Sequence, residues 1–334
     1  MSVGARPRIA SGVLLLGLMT GSFLAGTRLF PLLHRLQAHE VEQATLDYTR
    51  LTSPFLELPG ELNGDVSLVR ARRRLVSYIR EERRKDPTLQ VSVYARDLYN
   101  GPWIGIDERA LFVPASLNKL PVMIYVLALA EADPSTLDRV VVYPGPETMV
   151  SPESVGEELQ NYRMETGASY SYRDLLYRMI AYSDNHAKEL LLEGISEADI
   201  EALMQVVHAG SSIVDDEYAT NAKTYASIFR ILFNSNFLGR GMSEYALELL
   251  TRSYFQAGIR RFIPEEVIIA SKFGFNDDHG DQPHSAELHE CGIIYQPDAP
   301  YVLCVMTKSG QTDPEEMAEV IANVSRIVWI TKTE

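Results

Sequence analysis

The sequence has 334 residues, a formal net charge of −14 and a hydrophobic fraction of 46%. This length and apolar content are sufficient for one large hydrophobic core. The acidic balance argues against a nucleic-acid-binding protein, because such proteins use a basic surface to neutralise phosphates.

Residues 9–27, which begin at Ile9 and end at Thr27, contain no charged side chain. At about 1.5 Å per helical residue, this run comes close to a membrane hydrocarbon core of about 30 Å. We therefore predict that residues 1–31 form a cytoplasmic tail and a single-pass anchor in the cytoplasmic membrane, with the remaining chain on the extracytoplasmic side. A cleaved signal peptide is the alternative, although Leu24-Ala25-Gly26 is a poor cleavage site.

Residues 32–64 include two prolines and two glycines near their end and are predicted to form a stalk or linker. Residues 65–334 then form the predicted main domain. This domain opens with a helix that is apolar on one side and rich in arginine on the other. The basic side is typical of a solvated surface, and contact with an anionic membrane surface is the alternative.

Strand patterns lie at both ends of the main domain. Residues 91–98 and 103–106 flank an Asn-Gly turn and predict a hairpin, and residues 267–275, 291–295 and 301–306 predict three further strands. The middle of the domain is largely helical, and a final helix follows the last strand. The predicted fold class is α/β (α+β), with one antiparallel sheet built from both ends, flanking helices and an inserted all-helical lobe.

Ser116 and Lys119 stand at the start of an apolar helix. Residues three apart on a helix lie on one face, so the Lys119 amine can reach the Ser116 hydroxyl. A lysine takes a proton from serine only if burial lowers its pKa, and the apolar helix supplies that burial. Taken alone, the spacing is more typical of an incidental lysine at a helix start, and a serine nucleophile is the alternative that further motifs would favour.

Two further motifs follow in order, Ser183-Asp184-Asn185 and Lys272-Phe273-Gly274. Together with Ser-x-x-Lys they match the signature of penicillin-recognising serine enzymes, and the chain resembles the class A β-lactamases and the related DD-peptidases over roughly residues 65–334. The resemblance implies a β-lactamase/transpeptidase-like fold. A literal Lys-Ser-Gly occurs at residues 308–310, but the last helix follows it directly. The third motif is therefore assigned to Lys272, which precedes two more strands.

The resemblance implies a catalytic role for four of these residues. Ser116 would attack an amide carbonyl, and Lys119 would act as its base. Ser183 would pass a proton toward the leaving nitrogen, and Lys272 would supply positive potential nearby.

Substrate-binding roles are implied in the same way. Asn185 would hydrogen-bond the amide arm of the substrate. The backbone N–H groups of Ser116 and Phe275, next to Gly274, would form the oxyanion hole. Phe273 departs from the family, which has there a hydroxyl that helps to bind the substrate carboxylate.

A second departure lies on the following strand. The family usually has an arginine where this chain has Cys291. His289 lies two residues earlier, on the same strand face, and could help to bind a carboxylate. A polar strand histidine without a ligand is the alternative.

Glu217 is the candidate for hydrolysing the acyl-enzyme. Class A β-lactamases place a glutamate after Ser-Asp-Asn, with an asparagine four residues later, and Glu217 and Asn221 have that spacing. The segment after Thr220 also resembles the helix that follows this loop, in which case Glu217 only flanks the helix.

Cys291 and Cys304 fall on neighbouring predicted strands. They could form a disulfide outside the cytoplasm, but we expect buried free thiols. The spacing of His279, His284 and His289 does not predict a zinc site, and neither a metal nor a cofactor is expected.

These patterns predict a membrane-anchored serine hydrolase that forms an acyl-enzyme with β-lactams or related amides. The alternatives are a DD-carboxypeptidase or penicillin-binding protein acting on peptidoglycan stem peptides, and a slowly acylating sensor or scaffold domain. The expected partners are the β-lactam or peptidoglycan-derived substrate and the cytoplasmic membrane.

Overall fold

The long strands lie at the two ends of the main domain, and its middle is mostly helical. This middle part was predicted to be all-helical, but it also contains two short strand pairs, Val140–Val142 with Ser169–Ser171 and Ser212–Val214 with Glu217–Ala219. In chain order the described elements are α1 (Val66–Lys85), β1 (Gln90–Asp97), β2 (Trp103–Ile106), α2 (Lys119–Ala132), β3 (Val140–Val142), β4 (Ser169–Ser171), α3 (Tyr172–Ala181), α4 (Asn185–Glu193), β5 (Ser212–Val214), β6 (Glu217–Ala219), α5 (Ala222–Phe233), α6 (Arg240–Leu250), β7 (Ile269–Asn276), β8 (Ala286–Ile294), β9 (Tyr301–Ser309) and α7 (Pro314–Thr333). Short 3-10 helices include Ala115–Asn118 and Ile259–Phe262.

The structure is a computed structural model. It describes residues 51–52, 66–99, 101–150, 161–196, 198–199, 212–214, 217–277, 285–310 and 313–334. The predicted membrane anchor and most of the predicted linker lie outside these residues, and so do His279 and His284.

One antiparallel sheet forms the framework of the domain, with strand order β2-β1-β9-β8-β7. The first two strands come from the beginning of the domain, the other three from its end. They meet where β1 pairs with β9 along its whole length, from Gln90 opposite Lys308 to Asp97 opposite Tyr301. The predicted sheet, built from both ends of the domain, is thus confirmed.

Both faces of this sheet are covered. Helices α1 and α7 pack on one face, and α5 packs on the other, where the helical lobe begins. All residues of β8 are buried, as is almost all of β9. Such continuous burial is expected for strands with a protein layer on each side.

Helix α2 is the centre of the helical lobe and contacts α3, α4 and α6. Within the part of the chain that the structure describes, one stretch, Ala115–Ala132, is long and apolar enough to cross a membrane by length and composition. More than half of it is buried inside the domain. Because it carries the buried Lys119 and packs against three helices, we interpret it as the core helix of a globular lobe.

Two residues of the predicted linker contact the main domain. The Glu244 carboxylate on α6 accepts hydrogen bonds from the backbone N–H groups of Leu51, at 2.6 Å, and Thr52, at 3.0 Å. The Tyr295 hydroxyl donates to the Leu51 carbonyl at 2.8 Å. This part of the predicted linker is therefore packed into the domain, where both residues are buried.

Cys291 on β8 and Cys304 on β9 stand directly opposite each other and are joined by a disulfide. The expectation of free thiols is therefore wrong. Direct opposition in an antiparallel pair brings two side chains close together on one face, which the sequence spacing did not specify.

A buried carboxylate connects the edge of the sheet to the 3-10 helix Ile259–Phe262. The Glu290 carboxylate accepts hydrogen bonds from the Ile259 N–H, at 2.6 Å, and the Ser271 hydroxyl, at 2.8 Å. Burial raises the pKa of Glu290 to about 7, although these hydrogen bonds and the positive charges of Lys272 and Arg260 act in the opposite direction. The carboxylate therefore holds the loop before β7 against the sheet, and its protonation depends on pH near neutrality.

Glu290→Gln should change how stability depends on pH. The raised pKa means that Glu290 binds more protons in the folded state than in the unfolded chain between about pH 4.5 and 7. The contribution of Glu290 to the free energy of unfolding should therefore decrease as the pH rises through this window, and the variant should lack this contribution. Thermal unfolding of the full chain in detergent at pH 5 and pH 7.5 measures the difference. Glu266→Gln changes an exposed residue and is the control, so its stability should depend on pH as that of the wild type does. If the stability of Glu290→Gln also changes with pH as that of the wild type does, the prediction is wrong.

Candidate active site

Ser116 lies in the 3-10 helix Ala115–Asn118, which leads directly into α2. Ala115, the residue before it, has a φ of 49°, in the left-handed region that non-glycine residues rarely adopt. The hydroxyl of the buried Tyr225 on α5 donates a hydrogen bond to the Leu117 carbonyl and so holds this turn against α5. Such strain costs about 1–3 kcal/mol and is typically found at functional sites.

Lys119 is the first residue of α2, and its amine is buried among four oxygen atoms. Its Nζ lies 2.9 Å from Ser116 Oγ, 3.1 Å from Ser183 Oγ and 2.7 Å from Asn185 Oδ1, and it also contacts the Ser183 carbonyl. An ammonium has three donors for these four acceptors. A neutral amine would instead donate hydrogen bonds to two oxygens and accept a hydrogen bond from a hydroxyl.

Burial favours that neutral form. It holds the pKa of Lys119 well below its usual value, and the positive charges of Lys272 and Lys188 lower it further, against the opposing effect of Asp184. Lys119 can therefore serve as the base for Ser116, because its amine is in contact with the hydroxyl and loses its proton more readily than an exposed lysine does.

Ser183 occupies the turn between α3 and α4, with a φ of 59°. The neighbouring Asp184 caps α4 by accepting hydrogen bonds from the N–H groups of His186, at 2.9 Å, and Ala187, at 3.1 Å. This cap fixes the turn. The Ser183 hydroxyl consequently lies between the two lysines, 3.1 Å from Lys119 Nζ and 2.9 Å from Lys272 Nζ.

Lys272 reaches the site from the sheet. It is fully buried on β7, and its Nζ donates to Ser183 Oγ and, at 2.8 Å, to the Phe273 carbonyl. Burial lowers the pKa of Lys272 to about 7, although the nearby Glu290 carboxylate acts to raise it. At neutral pH the amine is thus only partly protonated.

Gly274 allows β7 to approach the nucleophile closely. A Cβ added there would lie 2.8 Å from the Pro114 carbonyl oxygen and 3.1 Å from the Ser116 nitrogen. The backbone around Phe275 is therefore next to the Ser116 N–H, the arrangement that the predicted oxyanion hole requires.

Phe273 belongs to an aromatic cluster with Tyr254 and Phe255. Its ring stacks on Phe255 with centroids 4.6 Å apart, and Tyr254 meets it edge-on at 5.3 Å. Lys272 Nζ lies 4.2 Å from the centroid of the Phe273 ring. The Tyr254 N–H donates to the Ala181 carbonyl, which places the cluster beside the turn that carries Ser183.

His289 is placed differently from the prediction. It is fully buried, with Nε2 2.9 Å from the Val113 carbonyl and Nδ1 accepting from the Thr307 N–H at 3.3 Å. Glu287 lies 3.2 Å from Nε2. These contacts give His289 a structural role under the nucleophile turn, in place of the predicted contact with a substrate carboxylate.

Glu217 begins strand β6, which pairs with β5. Its side chain lies outside what the structure describes, so its role in deacylation stays a prediction. Asn221 caps α5 by accepting from the Thr224 N–H at 2.9 Å. The segment after Thr220 thus starts a helix, as the alternative alignment expected.

The literal Lys-Ser-Gly segment has other contacts. Lys308 pairs with Glu287 at 3.0 Å, and the Ser309 hydroxyl donates to Asp86 at 2.6 Å. No group of three or more His, Cys, Asp or Glu side chains that could hold a metal is found in the described ranges.

Sequence reasoning missed Tyr225, Tyr254, Phe255 and Glu290. Tyr225 follows the apolar periodicity of α5 and is indistinguishable from a core residue in sequence. Glu290 lies in a strand that is buried on both faces, and the sequence of the strand alone does not indicate this burial. The pairing of Phe273 with Glu290 across β7 and β8 is what brings Glu290 next to Lys272.

The fold and the Ser116, Lys119, Ser183 and Lys272 cluster define a serine hydrolase-like protein of the penicillin-recognising class. The profile of the β-lactamase enzyme family matches residues 73–331, and the chain belongs to this family. No curated protein matches the sequence.

Several solved structures share the fold. TLA-1 extended-spectrum β-lactamase is 14% identical, with a TM-score of 0.66 over 78% of this chain and 99% of that chain. A β-lactamase from Chitinophaga pinensis is 18% identical, with a TM-score of 0.65 over 78% and 99%. PBP-A is 20% identical, with a TM-score of 0.64 over 78% and 96%. These structures establish the β-lactamase/transpeptidase-like fold of the chain.

Gly274→Ala should slow acylation of Ser116 by about tenfold to a hundredfold, because the new methyl group displaces the backbone of the nucleophile turn. The atoms it meets at Pro114 and Ser116 are main-chain atoms that cannot rotate away. Overpacking should also lower the free energy of unfolding by about 1–3 kcal/mol. Gly241→Ala is the matched control, since a Cβ there meets nothing within 4 Å. Penicillin labelling rates and thermal unfolding test both variants, and wild-type behaviour of Gly274→Ala would contradict the close approach.

Proposed function

We propose that this protein is a serine acyl-transfer enzyme that acts on β-lactams or on the related amides of peptidoglycan stem peptides. The observation that carries the proposal is the position of Lys119 Nζ, within 3.1 Å of both Ser116 Oγ and Ser183 Oγ. One amine thereby connects the attacking hydroxyl with a second hydroxyl. A variant of the structurally similar PBP-A has been solved as an acyl-enzyme complex with penicillin G, which supports the same chemistry here.

The proposed reaction begins with proton transfer from Ser116 Oγ to the neutral Lys119 amine. The oxygen then forms a bond to the carbonyl carbon, and negative charge develops on the carbonyl oxygen beside the N–H groups of Ser116 and Phe275. When the C–N bond breaks, the leaving nitrogen takes a proton from Ser183. Lys119 returns its proton to Ser183, and the acyl group remains as an ester on Ser116. Hydrolysis of this ester by water would complete a turnover.

We further propose that the domain works outside the cytoplasm, attached to the membrane by residues 9–27. The uncharged run at those residues supports an anchor. The Cys291–Cys304 disulfide supports an oxidising compartment, because disulfides persist mainly outside the cytoplasm.

A slowly acylating sensor or scaffold is the second candidate. The aromatic ring of Phe273 favours it, because this residue replaces the hydroxyl that the family uses for substrate binding. In this case Ser116 would be acylated slowly or not at all.

Covalent labelling tests the proposal directly. A fluorescent penicillin should label the wild-type full chain, and Ser116→Ala should abolish labelling. Lys119→Met should slow it by about 10²–10⁴, the usual effect of removing a general base. Ser309→Ala removes a hydroxyl that contacts Asp86 and should label as the wild type does. If the wild type is labelled neither by a penicillin nor by its methyl ester after long incubation, the enzyme proposal is wrong and the scaffold function is favoured.

Glu217→Gln distinguishes the β-lactamase from the DD-peptidase function. If Glu217 positions the hydrolytic water, the variant should be acylated at the wild-type rate but should keep its acyl group, with deacylation slower by about 10²–10⁴. Intact-mass spectrometry over time separates the two steps. Release as fast as in the wild type would contradict the β-lactamase mechanism and favour a DD-peptidase.

A further inference from the structure

The site departs from carboxylate recognition at three positions, and each has a structural reason. Phe273 has an apolar ring where the family has a hydroxyl. Cys291, where the family usually has an arginine, is held in the disulfide with Cys304. His289 is fully buried, and both of its ring nitrogens contact the backbone.

Lys272, the cation of the third motif, is directed inward. Its Nζ donates to Ser183 Oγ and to the Phe273 carbonyl, and the Phe273 ring lies over it at 4.2 Å. The side chain is fully buried. A substrate carboxylate next to this ring would lose water and would gain no hydroxyl from Phe273 and no guanidinium from Cys291, which is unfavourable for a charged group.

The same region offers apolar contacts. Phe273 and Phe255 stack at 4.6 Å, and Tyr254 meets the Phe273 ring edge-on. Phe273 itself is buried, whereas Tyr254 and Phe255 are half-buried and present the accessible part of this cluster. Glu290 fixes this arrangement by holding Ile259, four residues after Phe255, against the sheet. The aromatic surface lies beside the turn that carries Ser183, because the Tyr254 N–H donates to the Ala181 carbonyl.

We propose that this protein prefers acyl donors whose leaving side carries a neutral, apolar group in place of a carboxylate. Phe273 is the residue that determines this specificity. The inference rests on the acyl transfer proposed above and adds the chemical class of the substrate.

Benzylpenicillin and its methyl ester are the matched probes, since they differ in one charge next to the reacting amide. The acylation rate of Ser116 is measured by intact-mass spectrometry on the full chain in detergent. Each rate is divided by the rate at which the same compound reacts with hydroxide, which removes the difference in intrinsic reactivity. The wild-type chain should acylate with the ester at least as fast as with the acid.

Phe273→Thr should lower the ester-to-acid ratio by about tenfold or more, because a hydroxyl can then hydrogen-bond the carboxylate. Phe273→Leu is the matched control. It keeps an apolar side chain without a hydroxyl, and its ratio should stay within about threefold of the wild type.

Two results would overturn the inference alone: a faster normalised reaction of the wild type with the acid, or an unchanged ratio in Phe273→Thr. In both cases Ser116 is still acylated, so the proposed function stands. If neither compound adds its mass to Ser116, the acyl transfer itself is wrong, and the substrate preference falls with it.

Discussion

The site depends on one hydroxyl held between two buried amines. Ser183 Oγ lies 3.1 Å from Lys119 Nζ and 2.9 Å from Lys272 Nζ. Two ammonium ions so close together repel each other, and the repulsion grows where water is excluded. The pair is therefore more stable when at most one of the two amines is in the charged ammonium form. Burial of the two lysines, which is unfavourable for folding, leaves an unprotonated amine beside Ser116.

This arrangement requires the two parts of the domain to be assembled. Lys119 and Ser183 belong to the helical lobe, whereas Lys272 comes from the sheet edge. Left-handed backbone at Ala115 and Ser183 adds strain of about 1–3 kcal/mol each. The core around α2, the Asp184 cap and the Tyr225 hydrogen bond hold these conformations. The strained geometry of the site is thus maintained by the stability of the surrounding fold.

Sequence reasoning identified the sheet and the reacting residues because both depend on local patterns. Alternation of apolar residues identified the strands, and linear motifs identified Ser116, Ser183 and Lys272. It did not predict the disulfide or the burial of His289, because these depend on strand register and on which layer covers each face. The Glu290 contact with Ile259 joins segments 31 residues apart, and no local pattern in either segment indicates it.

Phe273 and Glu290 act on Lys272 in opposite directions. The Phe273 ring covers the amine and contributes to its burial, which lowers the pKa of Lys272 to about 7. The Glu290 carboxylate, which pairs in register with Phe273, raises the same pKa and partly compensates. A lysine balanced in this way is poorly suited to hold a substrate anion at neutral pH, because its charge is neither complete nor exposed. Even where its charge is incomplete, the amine still donates a hydrogen bond to the Ser183 hydroxyl, so its effect is directed at that hydroxyl and not at the solvent.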